Sequence, residues 1–196
     1  GRCVLNPSGY LYDEPYFLLQ QEVSEVGSYF SIIKAIAAGN SKLSAISTVL
    51  EIKSTSLTKY LRTLMDLDIL EREVPVTEDN PEKSKKGLYK IKDNYLSFWF
   101  AFVYPNKSFI ESGHSQVVLE KIRKGLASHH ISFVYEDVCR ERMWQLNATD
   151  TWPFHFTKLG RYWDARTEID IAAVDPEGKI LILGECKYWQ EPMGAN

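Results

Sequence analysis

The sequence predicts an α+β protein in two domains, and three patterns point there. Between Ser28 and Ile91, three helical periodicities are followed by two strand-like runs. From residue 116 to 146 the helical period returns. Glu168 to Trp189 then holds two apolar, partly alternating runs on either side of Asp175-Pro176-Glu177-Gly178. Pro suits the second position of such a turn and Gly the fourth, so this segment is expected to be a β-hairpin.

The 196 residues can bury one large core or two small ones. A formal charge of −3 gives no overall basic field, so any affinity for nucleic acid must come from local patches. Cys3, Cys139 and Cys186 are odd in number and widely spaced, the pattern of reduced thiols in a cytoplasmic protein and not of a disulfide framework. No apolar run approaches the ~20 residues that span a bilayer, and no signal peptide is visible. The opening Gly1-Arg2-Cys3, without Met, is expected of a fragment or processed product.

In chain order, residues 1–27 are mixed. Asn6-Pro7-Ser8-Gly9 is loop material, and Pro15 fits the first turn of a short helix. The segment is too small for its own core and is expected to pack on another domain. Phe30, Ile33, Ile36 and Ala37 mark the next helix, which Gly39-Asn40 stops. Ser41 is placed as the cap of a helix carrying Leu43, Ile46, Val49 and Leu50. A third, from near Ser54, buries Leu57, Leu61 and Leu64, with Met65 a further candidate. Strand-like runs at Ile69 to Val76 and Leu88 to Ile91 flank a polar, lysine-bearing loop. Three helices and a β-ribbon are the order of a winged helix-turn-helix.

In that arrangement the third helix enters the major groove of DNA. Lys53 precedes it, its polar face carries Thr55, Ser56, Thr58, Lys59 and Arg62, and Lys83, Lys85 and Lys86 on the wing reach phosphates. The same residues also suit a solvated helix face and a charged loop tip, and Glu78, Asp79 and Glu82 dilute the wing's charge. Protein docking is the other common use of such a module.

Asn94 to Tyr104 is the most aromatic stretch, expected to be a core-forming helix that ends at Pro105-Asn106. Val117, Val118, Ile122 and Leu126 form one later apolar set, and Ile131, Phe133, Val134, Val138 and Met143 another. In the hairpin, pairing Asp175 with Gly178 sets Ala173 opposite Ile180, Asp170 opposite Leu183 and Glu168 opposite Glu185. Arg166, Glu168, Asp170, Glu185 and Lys187 then share one side. A slip of one residue would separate Asp170 from Glu185.

Several chemistries are excluded. The Gly178-Lys179 dipeptide follows Ala173 where a phosphate-binding loop needs glycine, and no Gly-x-Gly-x-x-Gly occurs. His114, His129, His130 and His155 lack zinc-ligand spacing, and no serine sits in a nucleophile elbow. Asp170 and Glu185-x-Lys187 remain, with Glu136 on an upstream helix. Two carboxylates on neighbouring strands can hold Mg²⁺ through oxygen, and a lysine beside them can orient or deprotonate the bound water, the chemistry of metal-dependent nucleic-acid hydrolysis. The bland alternative pairs Glu185 with Lys187 and leaves Asp170 as an edge charge.

Asp170 and Glu185-Cys186-Lys187 resemble the metal-binding core of the PD-(D/E)XK nuclease superfamily, with Glu136 in the place of its helical glutamate. The chain as a whole resembles the C-terminal half of archaeal-type ATPases. Carrying this are Glu14-Pro15 with Leu18-Leu19, Gly87-Leu88-Tyr89-Lys90-Ile91, Phe98-Trp99-Phe100, Tyr104-Pro105-Asn106, Trp163, Glu168-Ile169-Asp170 and Gly184-Glu185-Cys186-Lys187. The resemblance implies that residues 1–27 are the tail of an absent ATPase domain, 28–105 a winged helix with its aromatic linking helix, and 106–196 a nuclease-like α/β domain. It further implies Mg²⁺ as cofactor, DNA as partner, and Glu136, Asp170, Glu185 and Lys187 as catalytic residues. The nuclease fold usually continues with a helix and strand beyond the position of Asn196, so a truncated or reduced sheet is expected. A non-enzymatic docking module on a degenerate nuclease scaffold is the competing expectation.

Overall fold

A computed structural model describes residues 3–149, 152 and 154–188, except for the side chain of His129. Trp189, the last residue of the expected hairpin, lies outside them. The protein is mixed α+β with two small antiparallel sheets. The chain divides into two compact units, Gly1–Glu73 with Gly87–Gly125, and Val74–Lys86 with Leu126–Asn196.

In the first unit, α1 (Glu14–Glu22) has Pro15 in its first turn. α2 (Val26–Ala37) buries Phe30, Ile32, Ile33 and Ile36. It ends where Gly39 takes a positive φ of 94° and Asn40 Nδ2 donates to the Ala35 carbonyl at 3.0 Å. α3 (Leu43–Leu50) buries Ile46, but Val49 is 56% exposed instead of joining the core. Ser41 does not cap α3. Its carbonyl accepts from the Tyr89 N–H at 2.7 Å, and Lys42 bridges to Leu88. α4 (Ser54–Asp66) buries Leu57, Leu61 and Leu64, the i, i+4, i+7 stripe its sequence displays.

β1 (Leu70–Glu73) pairs antiparallel with β2 (Leu88–Ile91). β1 is shorter than the run Ile69 to Val76 because Pro75 has no N–H to give a ladder. The aromatic stretch is α5 (Asn94–Phe98), then a π-helical turn over Trp99–Val103 and a 3-10 turn over Tyr104–Asn106. Pro105 does not end the helical path: α6 (Lys107–Glu111) follows directly, and then α7 (Ser115–Leu126). Trp99, Phe100, Phe102 and Val103 are buried, with Phe30 of α2 set among the rings of Trp99, Phe100 and Tyr104 at 5.0–6.0 Å. The stretch is core.

The N-terminal segment belongs to this unit as well. Tyr12 and Leu19 are buried, Trp99 Nε1 donates to the Tyr12 carbonyl at 2.8 Å, and Ser115 Oγ to that of Leu5 at 3.0 Å. The segment, too small for a core of its own, packs on other elements of this unit.

The second unit joins α8 (Ser132–Ala148), entered through a π-helical turn over Ala127–Ile131, to a meander of β3 (Lys158–Trp163), β4 (Glu168–Val174) and β5 (Ile180–Gly184) in the order β3-β4-β5. The loop Val74–Lys86 lies along β3: the Val76 N–H donates to the Arg161 carbonyl at 2.9 Å. Gly160 faces Val76, where an added Cβ would sit in ordinary contact at 3.5 Å.

Two expectations for this unit are corrected. Phe133 and Val138 are each 54% exposed, and the residue α8 buries is Glu136. The hairpin register is also shifted: Ala173 pairs with Ile182, Ala172 with Leu183 and Ile171 with Gly184. Gly178 adopts φ 86°, the Asp175 carboxylate accepts from the Glu177 and Lys179 N–H groups, and a bulge follows. The loop is therefore longer than a two-residue turn. The shift is by two residues, so facing within the ladder is preserved; beyond Gly184 the structure sets the Asp170 carboxylate against Cys186, whose N–H it accepts, while Glu185 pairs with Lys187.

Candidate functional site

Two groups of residues could carry function, one in each unit. In the first unit, α4 follows α3 through Glu51, whose φ of 55° closes α3 in the left-handed region. Ser54 Oγ donates to Ser47 Oγ at 3.2 Å and Ser47 Oγ to the Ile52 carbonyl at 2.6 Å, which fixes the turn. With Leu57, Leu61 and Leu64 inward, Thr55, Ser56, Lys59 and Arg62 are exposed on α4, and Lys53 precedes it. Lys53, Lys59 and Arg62 form no ion pair, and the Thr55 and Ser56 hydroxyls no hydrogen bond, among the described residues. No side chain caps the helix, so its first N–H groups also face outward. Asp66, one turn beyond Arg62, is the acidic residue of α4.

The loop lysines behave differently from one another. Lys83 and Lys85 are exposed, whereas Lys86 is tied to Glu78 at 2.6 Å. That pair raises the Lys86 pKa and lowers that of Glu78.

In the second unit, Glu136 on α8 lies between two guanidinium groups, Arg140 Nη1 at 3.7 Å and Arg161 Nε at 3.8 Å. Arg140 Nη1 also donates to the Asp170 carbonyl at 3.2 Å, and its Nη2 pairs with Asp137. Arg161 pairs in addition with Glu168. The Asp170 carboxylate accepts from the Cys186 N–H at 2.8 Å, which fastens β4 to the segment after β5. Burial first, then the Cys139 thiol and the carboxylates of Asp170 and Glu136, push the Cys186 thiol up to about 12. Glu136, Asp170 and Cys186 thus form one cluster. Glu185 and Lys187 form an exposed pair at 2.7 Å, and Glu185, with a smaller contribution from Asp170, raises the lysine's pKa.

Of the residues singled out from the sequence, Glu136 and Asp170 meet through Arg140, while Glu185 and Lys187 meet each other. Arg140 is expected from the sequence as a surface charge in an ordinary pair, and it does pair with Asp137 and Glu136 but is largely buried; Arg161 is not among the expected site residues. Arg140 carried a signal, standing one turn after Glu136 at i+4; Arg161 carried none.

The donor chemistry suits Mg²⁺, but the arrangement does not fit one as it stands. Glu136 is compensated by two guanidiniums, Glu185 by Lys187, and one Asp170 oxygen by a backbone N–H. Among the described residues, no three His, Cys, Asp or Glu side chains are grouped to hold a metal ion. No described helix is long and apolar enough to cross a membrane.

Fold and site together define a mixed α+β protein with an exposed cationic helix in one unit and a charge-compensated carboxylate cluster in the other. Residues 99–194 match the DUF234 family, archaeal and bacterial proteins of unknown function. An uncharacterized protein of Methanocaldococcus jannaschii is 38% identical over 172 residues, which is 88% of this chain and 38% of the relative. The chain therefore spans well under half the length of that relative. No solved structure matches it.

Proposed function

We propose that this chain is the nucleic-acid-docking part of a longer cytoplasmic protein, engaging DNA through a winged helix over residues 28–105 with α4 as its recognition helix. The unpaired cations Lys53, Lys59 and Arg62 on the face of α4 opposite its leucines support this reading. Such cations neutralise phosphates without first giving up a protein partner, and the uncapped N-terminus of α4 suits a phosphate oxygen. Thr55 and Ser56 offer hydroxyls to base edges from the same helix; the exposed Lys83 and Lys85 belong to the second unit and are no part of this face. The remaining length of the relative leaves room for the ATPase domain that the sequence resemblance implies.

Anisotropy titration of duplex DNA against salt tests the proposal. The double variant Lys59→Ala/Arg62→Ala is expected to bind roughly 10–100-fold more weakly, with the slope of log K against log salt reduced by about 2. Unchanged affinity and slope would sink it.

A second reading has support in the element order. A helix bearing Glu136, followed by three antiparallel strands with Asp170 on the second and Glu185-x-Lys187 after the third, is the order of a PD-(D/E)XK-like domain over 106–196. Asp170 and Glu185 are the residues that would hold Mg²⁺, which would supply an activated water for phosphodiester hydrolysis, and as folded Glu185 is instead paired with Lys187 and Glu136 with two guanidiniums. Cleavage of single- or double-stranded DNA that needs Mg²⁺ or Mn²⁺, and is lost in Asp170→Ala and Lys187→Ala, would establish it. Without such cleavage, the unit is a scaffold.

A further inference from the structure

We propose that the outer edge of β5 is a self-association surface, on which β5 of a second copy of this chain lies antiparallel and joins the two three-stranded sheets into one. The two edges of the sheet differ. Beyond β3 lies the loop Val74–Lys86, whose Val76 N–H donates to the Arg161 carbonyl at 2.9 Å. Beyond β5 there is no such cover among the described residues: no strand pairs with its far side, and no backbone hydrogen bond reaches it from outside the sheet. An open edge presents a row of unpaired N–H and C=O groups, and natural proteins guard it with lysine or proline on the strand. β5 reads Ile-Leu-Ile-Leu-Gly and has neither.

Its side chains match a copy of the same strand. Ile180 pairs with Val174 and Leu183 with Ala172, while Leu181 between them has no ladder partner. Val174 and Ala172 are two apart on β4 and share a face, so the bulge at Leu181 brings Ile180 and Leu183 onto one face as well. These two are the outward residues of the strand, 43% and 57% exposed. Antiparallel pairing centred on Ile182 sets Leu183 of each copy opposite Ile180 of the other, an apolar contact that the twofold axis makes twice.

Charge selects the same arrangement. Glu177 and Lys179 stand at one end of β5, an exposed pair at 3.4 Å, and Glu185 and Lys187 at the other, exposed at 2.7 Å. Antiparallel copies bring the Lys179 end of one beside the Glu185 end of the other, base next to acid. Parallel copies in register would set like charge against like.

Sedimentation equilibrium on the chain by itself tests this without DNA or metal, so the result is independent of the docking reading. The parent should pass reversibly from monomer to dimer as its concentration rises. Lys179→Glu and Glu185→Lys change exposed positions, where losing a surface pair hardly affects folding. Each should weaken dimerisation roughly 10-fold, because each substitution places like charges together twice. An equimolar mixture of the two variants should regain dimer at close to the parent's affinity, since each chain then meets opposite charge on the other. Leu183→Lys should abolish the dimer while circular dichroism shows an unchanged fold. A parent that is monomeric at every concentration, as when another segment covers β5, would overturn the proposal. So would a dimer that these substitutions leave intact, or a mixture that recovers nothing.

Discussion

Glu136→Ala is expected to destabilise the second unit by about 3 kcal/mol, the low end of the range for removing one partner of a buried ion pair. Glu136 is 8% exposed and sits between Arg140 and Arg161, whose side chains are 13% and 15% exposed. The contacts are 3.7 and 3.8 Å, longer than a tight charge-assisted hydrogen bond, which keeps the estimate at that lower end. Removing the carboxylate takes away the anion between two largely buried guanidiniums, leaving Arg140 to Asp137 and Arg161 to Glu168. Arg140 loses its i+4 partner while still donating to the Asp170 carbonyl, so β4 feels the change.

The sign of this effect separates two roles for the cluster. A carboxylate held in place to receive a metal is opposed by its neighbours in the metal-free protein, and its removal stabilises that state. An ion-paired carboxylate does the reverse. Glu136→Gln sharpens the contrast because it keeps the shape and some hydrogen bonding and should lose less than Glu136→Ala. Urea unfolding, with and without Mg²⁺, gives the answer. A variant more stable than the parent without Mg²⁺, and unresponsive where the parent gains from Mg²⁺, would reverse the charge-compensation argument.

What could be read in advance follows from how local each cause is. α4 shows in its own residues, because Leu57, Leu61 and Leu64 declare a face and the exposed polar positions are what is left over. The mixed α+β class was legible for the same reason. The register of β4 with β5 was not, because it depends on the backbone of Gly178 and on which N–H groups the Asp175 carboxylate captures. α8 misled because its most buried residue is a glutamate, so apolar spacing pointed at Phe133 and Val138, which face outward. One of the two guanidiniums beside Glu136 is that of Arg161, supplied by a strand distant in sequence, and no helical period can announce that. The loop Val74–Lys86 reads as a wing tip, yet it belongs with β3 in the second unit through the hydrogen bond of Val76 to Arg161.

Trp99→Ala should cost the first unit about 4 kcal/mol, typical of truncating a fully buried tryptophan. Trp99 is 1% exposed and contacts the rings of Phe30, Phe100 and Tyr104 at 6.0, 5.0 and 5.3 Å. Its Nε1–H satisfies the carbonyl of Tyr12, a residue itself 2% exposed, so truncation opens a cavity and also leaves that carbonyl without its donor. Trp99→Phe refills much of the cavity but not the hydrogen bond, so it should fall between the parent and Trp99→Ala. The consequence reaches α4 through α2, whose Phe30 is buried against this cluster and whose helix packs on α3 and α4. Under the docking proposal, DNA affinity should therefore fall in Trp99→Ala in step with the folded fraction of the first unit and recover when the temperature is lowered, whereas the Lys59→Ala/Arg62→Ala defect should persist in fully folded protein. A loss below about 1 kcal/mol, less than any buried aromatic truncation of this kind, would mean that the aromatic stretch is not the keystone of that core and that α4 is positioned by its leucines alone.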